Sequence, residues 1–159
     1  FALAGTGCGM QQTCPICIVH YDDWHAYLID LTLRQSGVTN DLLRFASGQE
    51  FLDYLEEDPS GGDAPVMVLL DLNMPGMGGL AVLQVVKDSR IRRTYPIVVL
   101  STSADTDEIN ACYRAGCNLF LTKPVQYAEF TDLVQRLGAL LKVAHFPSGA
   151  ATTGLAAAG

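Results

Sequence analysis

Polar side chains that suit phosphoryl chemistry follow short apolar runs at four points of the sequence. They are His20, Tyr21, Asp22, Asp23, Asp71, Ser101, Thr102 and Lys123. A carboxylate can attack phosphorus as a nucleophile. A divalent cation held by oxygen ligands would offset charge on the transferred group. A lysine ammonium and a hydroxyl would bind the remaining oxygens. If these side chains meet, their chemistry is that of holding a phosphoryl group.

Apolar runs of strand length alternate with segments of helical periodicity along the chain. The predicted strands are 16–19, 42–46, 66–70, 97–100 and 119–121, and the predicted helices are 24–35, 48–57, 79–89, 105–115 and 126–142. The inward positions expected in the first and last helices are Leu28, Leu31, Gln35, Phe130, Leu133, Val134, Leu137, Leu140 and Leu141. Apolar strands separated by helices predict an α/β fold, a doubly wound sheet of five parallel strands. Ligands of such a fold bind at the carboxyl ends of the strands, where the polar residues lie.

Composition restricts the class of protein. The 159 residues are 49% apolar and 17% charged, with a net charge of −7. These values favour one folded domain over a disordered chain, and the acidic balance argues against nucleic acid as a partner. No apolar stretch approaches the roughly 20 residues that span a membrane, so no membrane association is expected. We expect one domain over 14–143, with flexible tails at 1–13 and 144–159 that lack charged side chains.

Three separated motifs carry a resemblance to a known family. The segment 71–79 (DLNMPGMGG) resembles the loop around the phosphoacceptor aspartate in receiver domains of two-component response regulators. The segments 96–101 (PIVVLS) and 120–124 (FLTKP) resemble the fourth strand with its hydroxyl residue and the switch aromatic with its lysine and proline. The resemblance covers about residues 15–142. It implies a flavodoxin-like (βα)5 fold with strand order 2-1-3-4-5, and the second half is similar to stand-alone phytochrome-associated regulators.

The resemblance implies a role for each matched residue. Asp71 would accept a phosphoryl group from a histidine kinase or a phosphotransfer protein, in a site that contains Mg²⁺. The backbone carbonyl of Asn73 would bind the cation beside Asp71, and Ser101 would donate to a phosphoryl oxygen. Lys123 would pair with the phosphoryl group, or with Asp71 when it is unmodified. Phe120 would swing inward as Ser101 moves and would change the face formed by the fourth helix, fifth strand and fifth helix.

The same resemblance implies a signalling protein rather than an enzyme. The domain would assist only its own phosphoryl transfer and dephosphorylation, and its output would be an unnamed protein partner. A homodimer through the fourth-helix face is left open. Five cysteines at irregular spacing do not form a disulfide framework and indicate reduced thiols in a cytoplasmic protein.

Backbone chemistry around the motifs leads to further expectations. Pro75 would turn the chain away from the strand end. Gly76, Gly78 and Gly79 would permit positive φ near a crowded anion site. The Lys123 peptide bond to the following proline is expected to be cis, as it often is in the family.

The first strand departs from the family pattern. The family ends this strand with two acidic residues that hold Mg²⁺, and His20 and Tyr21 stand there instead. Asp22 and Asp23 come one or two positions later, and a bulge would be needed to bring Asp22 into the site. Since Mg²⁺ needs at least one or two carboxylates, we expect weak binding of this cation. His20 could donate a hydrogen bond to Asp71, bind a softer metal with it, or have no metal role.

Other functions compete with this interpretation. A pseudo-receiver would keep the fold and act as an unphosphorylated interaction module, which the atypical His20 and Tyr21 favour. A phosphatase of the haloacid dehalogenase class needs an Asp-x-Asp pair, and Asn73 takes the second position. A flavin protein would need a Ser/Thr-rich loop after the first strand, which is absent from the sequence.

The cysteines and one acidic segment each have a structural and a functional interpretation. Cys14 and Cys17 have the CxxC spacing of redox and zinc motifs, but the pair leads into a strand and lacks two further paired ligands. Cys112 and Cys117 are expected to be small apolar packing residues. The acidic, Gly-rich segment 56–63 is expected to be a solvated loop, with partner docking as the alternative.

Overall fold

The computed structural model describes residues 15–57, 67–88 and 96–145. In these ranges, five strands alternate with five helices. The elements are β1 (Ile16–Val19), α1 (Asp23–Gln35), β2 (Leu42–Phe45), α2 (Gly48–Glu57), β3 (Met67–Asp71), α3 (Gly79–Asp88), β4 (Ile97–Ser101), α4 (Thr106–Arg114), β5 (Leu119–Thr122) and α5 (Tyr127–Leu141). All pairings are parallel and the strand order is β2-β1-β3-β4-β5. The predicted fold class and strand order are confirmed.

The three central strands form the core of the domain. Every residue of β1, β3 and β4 is buried. Alternate side chains point to opposite faces: Cys17 and Val68 pack with residues of α2, α3 and α4, whereas Ile18 and Leu69 pack with residues of α1 and α5. The edge strands are less covered, and Leu119 of β5 is 36% exposed. The central strands therefore fix the positions at which polar side chains leave the sheet.

The inner faces of two helices differ from those expected. The buried residues of α1 are Ala26, Leu28, Ile29, Thr32 and Leu33. Gln35 is exposed and Leu31 is only half-buried, because α1 packs against α5 as well as the sheet and turns a different side inward. In α5, Leu140 is 54% exposed although the pattern placed it inward.

The described cysteines are apolar packing residues. Cys17, Cys112 and Cys117 are free thiols buried in the core, as expected for the last two. Burial raises the pKa of the Cys17 thiol to about 12, which suppresses thiolate formation and argues against a redox motif at this position. Cys14 and most of the segment 56–63 lie outside the described residues, as do the N-terminal tail and nearly all of the C-terminal one. The predicted domain limits stay a prediction.

None of the helices within 15–57, 67–88 and 96–145 has both the length and the apolarity of a membrane span.

Candidate phosphoacceptor site

Asp71 is the last residue of the central strand β3, and its carboxylate is buried at the carboxyl edge of the sheet. The backbone N–H of the next residue, Leu72, donates to the carbonyl of Leu100 on β4 (3.0 Å), which holds the strand end in place. Oδ1 of Asp71 accepts from Lys123 Nζ (2.8 Å) and from the backbone N–H of Asn73 (3.3 Å). Oδ2 is buried and has no hydrogen-bond partner in the described part of the chain. One carboxylate oxygen thus accepts two hydrogen bonds and the other accepts none in the described structure.

Lys123 and Ser101 come from the ends of two neighbouring strands. Ser101 is the last residue of β4 and is fully buried. Its carbonyl accepts from the backbone N–H of Lys123 (2.6 Å), which ties the lysine to the end of β4. The Ser101 hydroxyl oxygen accepts from Ser103 N–H (3.1 Å) and from the side-chain amide of Asn73 (3.4 Å). Because its two acceptor positions are filled, the hydroxyl proton is left to donate.

His20 lies between the carboxylate and the ammonium. Its Nδ1 accepts from the backbone N–H of Asp22 (3.1 Å), a bond that favours the tautomer with the proton on Nε2. Nε2 lies 3.6 Å from Asp71 Oδ2 and 3.2 Å from Lys123 Nζ, a group that can only donate. Burial lowers the pKa of His20 to about 4, with Asp71 acting in the opposite direction and Lys123 adding to the decrease. His20 is therefore neutral at pH 7, and its Nε2 faces the oxygen of Asp71 that has no hydrogen-bond partner in the described structure.

Asp22 has a different role in the structure from the one that a metal site would require. Its carboxylate is the N-cap of α1 and accepts from the backbone N–H groups of Trp24 (2.9 Å) and His25 (3.0 Å). The hydrogen bond from His25 is the main reason why the pKa of Asp22 is below its ordinary value. Tyr21 is 50% exposed and its ring stacks on that of His20. In the described ranges, no three His, Cys, Asp or Glu side chains form a group that could hold a metal ion.

Gly76 and Gly79, which follow Asp71, are each required to be glycine, but on different structural grounds. Of the three expected to have positive φ, only Gly76 does, at +75°, so the expectation for Gly78 and Gly79 is wrong. Gly79 is required for a different reason: a Cβ there would lie 2.5 Å from the carbonyl oxygen of Asp71 and 2.8 Å from the Cα of Leu72. The start of α3 consequently packs directly on the backbone of the phosphoacceptor position.

The cis peptide bond expected after Lys123 is not present. No peptide bond in the described ranges is cis, which includes the bond between Lys123 and Pro124. The trans form is the lower in energy even for a bond to proline. In that form Lys123 already places its backbone N–H on Ser101 and its ammonium on Asp71.

Phe120 lies in the middle of the edge strand, half-buried against the core. Its backbone N–H donates to the hydroxyl of Tyr113 on α4 (3.1 Å). The sequence did not predict this hydrogen bond. A tyrosine seven residues before a strand residue gives no indication that its hydroxyl accepts from the backbone N–H of that residue. It connects the predicted switch residue directly to the fourth helix.

A family model for the response regulator receiver domain matches residues 16–135. The chain belongs to this family. A receiver domain from Rhodospirillum rubrum is 38% identical, with a TM-score of 0.76 over 84% of this chain and 96% of that one. The family model and this solved structure both support the resemblance that the three motifs indicated.

Two further relatives are the response regulators RcpA and Rcp1, of which RcpA is a phytochrome response regulator. The structure of the phosphorylated cyanobacterial phytochrome response regulator RcpA is 29% identical, with a TM-score of 0.76, and covers 86% of this chain and 99% of RcpA. Rcp1 of Synechocystis is 29% identical over 110 residues, which are 68% of this chain and 75% of Rcp1. The structure of its Mn²⁺-bound form has a TM-score of 0.77 at 26% identity, over 85% of this receiver and 99% of Rcp1. The resemblance to this group of receivers is confirmed.

Proposed function

We propose that Asp71 accepts a phosphoryl group from the phosphohistidine of a histidine kinase or a phosphotransfer protein. The observation that carries the proposal is the state of the carboxylate: Oδ1 is held by Lys123, while buried Oδ2 has no hydrogen-bond partner in the described structure. In the transfer, a bond forms between Oδ2 and phosphorus. The bond from phosphorus to the donor nitrogen breaks, and its electron pair stays on that nitrogen. The receiver RcpA, whose structure is described as phosphorylated, supports this chemistry.

The surrounding side chains supply charge and hydrogen bonds to the transferred group. The Lys123 ammonium is next to the carboxylate and can remain paired with a phosphoryl oxygen after transfer. The Ser101 hydroxyl has a proton to donate to another oxygen. The amide of Asn73 bonds to Ser101 and to Thr102 (both 3.4 Å), which keeps the two hydroxyl residues together at the site. These residues bind and orient the phosphoryl group, and water removes it later to end the signal.

Mg²⁺ is the proposed cofactor, and the residues present fit it only in part. The carboxylate of Asp71 and the backbone carbonyl of Asn73 are the oxygen ligands that would hold it. Asp22, the third expected ligand, would first have to release the two N–H groups of α1 that it caps. When bound, the cation supplies positive charge to the phosphoryl oxygens. With one carboxylate in place, we propose weaker binding than in receivers with an acidic pair. The Mn²⁺-bound form of Rcp1 supports a cation site in a relative.

The proposed output is a change at the face formed by α4, β5 and α5. When Ser101 moves to the phosphoryl group, Phe120 would follow into the vacated space. The backbone of Phe120 is bonded to Tyr113, so a shift of this strand residue reaches α4. An output protein, or a second copy of this chain, would respond to the altered face. The free thiols of Cys17, Cys112 and Cys117 fit the reducing cytoplasm that we propose as the compartment.

A second candidate is a pseudo-receiver that acts without phosphorylation. The observation in its favour is that His20 faces Asp71 where the family has an acidic residue, while Asp22 is engaged as a helix cap. In this case the Asp71–Lys123 pair would serve only to hold the strand ends together.

Intact mass spectrometry after incubation with acetyl phosphate distinguishes the two candidates. The wild-type protein and Asp71→Asn are compared with and without Mg²⁺. A gain of one phosphoryl group in the wild type, absent from Asp71→Asn, supports phosphorylation. If the folded wild type gains no mass in either buffer, the pseudo-receiver is the better account.

A further inference from the structure

Two contacts bear on the position of the proton on His20. Nδ1 accepts from the backbone N–H of Asp22, which favours the tautomer with the proton on Nε2, while the Lys123 ammonium lies 3.2 Å from Nε2. Nε2 faces Asp71 Oδ2 at 3.6 Å, and this oxygen is the one buried side-chain nitrogen or oxygen without a hydrogen-bond partner in the described structure. The fold thus places Nε2 of His20 beside the oxygen at which a phosphoryl group would be attached.

The arrangement around Nε2 disfavours His20 as a metal ligand. A ligand nitrogen must present a lone pair, which would move the proton to Nδ1 and place it against the N–H of Asp22. The Lys123 ammonium, 3.2 Å from Nε2, would also repel a cation bound there. An Nε2–H and the ammonium are both donors, and the oxygens of a phosphoryl group attached at Asp71 would accept from each of them.

The charges of the buried site balance without a cation. Asp71 and Lys123 form an ion pair of one negative and one positive charge. A second or third carboxylate at the end of β1 would add negative charge that a divalent ion must offset, and this chain lacks them at 20 and 21. The unmodified site therefore has no electrostatic need for Mg²⁺.

We infer that His20 is a phosphoryl-binding residue that replaces part of the divalent cation's role. Its Nε2–H donates to an oxygen of the group attached at Asp71, beside the Lys123 ammonium. The receiver consequently holds a phosphoryl group with little dependence on Mg²⁺. This inference rests on the proposed function, because it concerns the same acyl phosphate at Asp71.

Beryllium trifluoride, a tetrahedral mimic of the phosphoryl group on a carboxylate, is a suitable probe. Its binding is measured by ¹⁹F NMR in buffer from which Mg²⁺ and other divalent metals were removed before the probe is added, and again with Mg²⁺. The wild type is expected to bind in both buffers with affinities within about tenfold. His20→Ala is expected to lose roughly ten- to a hundredfold in affinity without Mg²⁺, as befits a hydrogen bond to a charged group.

Matched variants separate the role of Nε2–H from general effects. His20→Gln, whose amide can donate from a similar position, is expected to recover part of the affinity, and it provides a second test if His20→Ala fails to fold. His20→Asp is expected to bind the probe only with Mg²⁺ because it adds a negative charge. His145→Ala, which removes an exposed histidine, is expected to behave as the wild type.

The outcomes distinguish this inference from the proposed function. Probe binding by the wild type only with Mg²⁺, or equal affinities of folded His20→Ala and wild type in metal-free buffer, overturns the role of His20 and leaves phosphorylation at Asp71 intact. If the folded wild type binds the probe in neither buffer and gains no mass from acetyl phosphate, both are overturned.

Discussion

The ammonium of Lys123 lies 2.8 Å from Oδ1 of Asp71, and both side chains are buried. The pair joins the end of β3 to the residue that follows β5. Because each charge is removed from water, each depends on the other for stabilisation, and the loss of one partner leaves the other uncompensated.

Lys123→Met is accordingly expected to destabilise the protein by roughly 3–5 kcal/mol, the usual cost of breaking a buried ion pair on one side. Urea unfolding measures this cost. The double variant Asp71→Asn/Lys123→Met is the control, since it removes both charges. Its cost is expected to be clearly less than the sum of the two single costs. Additive costs would contradict the coupling of the two side chains.

Gly79 is expected to tolerate no side chain. A Cβ there would lie 2.5 Å from the carbonyl oxygen of Asp71, so Gly79→Ala must displace the backbone of the site. We expect a loss of about 1–3 kcal/mol in unfolding free energy, as for an overpacked position. The matched control is Gly78→Ala, where the added carbon would have only an ordinary contact of 3.5 Å. Equal costs for the two variants would argue against close packing of α3 on Asp71.

The cap formed by Asp22 predicts different effects for two substitutions. Asp22→Ala removes the acceptor of the Trp24 and His25 N–H groups and is expected to cost about 1 kcal/mol. Asp22→Asn keeps a side-chain oxygen at the N-cap and is expected to be nearly neutral. Thermal and urea unfolding measure the change in stability caused by each substitution. A cost for the Asn variant as large as that for Ala would show that the charge matters more than the cap.

Burial of Cys17 predicts a loss of stability in alkali. Its pKa is raised from 9.0 to about 12, so above about pH 9 the unfolded chain loses this proton while the native protein keeps it. The unfolding free energy should therefore be fully retained below pH 9 and decrease towards pH 12, by at most about 1.4 kcal/mol per pH unit for this group.

Cys17→Val isolates this effect, because the other titrating groups are common to both proteins. The stability of the wild type relative to Cys17→Val should be constant from about pH 7 to pH 8 and should fall above about pH 9. Urea unfolding at each pH measures it. Parallel pH profiles of the two proteins would contradict the buried, protonated thiol.

Much of the fold could be predicted from the sequence because the central strands are buried on both faces. Such strands are continuous apolar runs, and two of them end at a polar residue, β3 at Asp71 and β4 at Ser101. The parallel topology then brings these ends to one edge. The inner face of α1 was not predicted correctly, since its contacts with α5 depend on how two distant helices pack.

The sequence indicated which residues meet at the strand ends but not how they contact one another. His20 and Lys123 are 103 positions apart in the sequence, and nothing in this separation indicates that Nε2 and Nζ lie 3.2 Å apart. The tautomer of His20 depends on a single backbone bond from Asp22, which spacing does not specify. The cap role of Asp22 was not predicted, because the predicted helix began at residue 24, one position after the observed start of α1.

Borohydride reduction shows whether Asp71 forms an acyl phosphate. Borohydride converts an aspartyl phosphate to homoserine, which peptide mass spectrometry locates. After incubation with acetyl phosphate, conversion is expected in the peptide that contains Asp71 and at no other aspartate, and none is expected without the phosphodonor. Conversion at another aspartate, or none at Asp71 in a folded protein that has been exposed to the phosphodonor, would contradict the account.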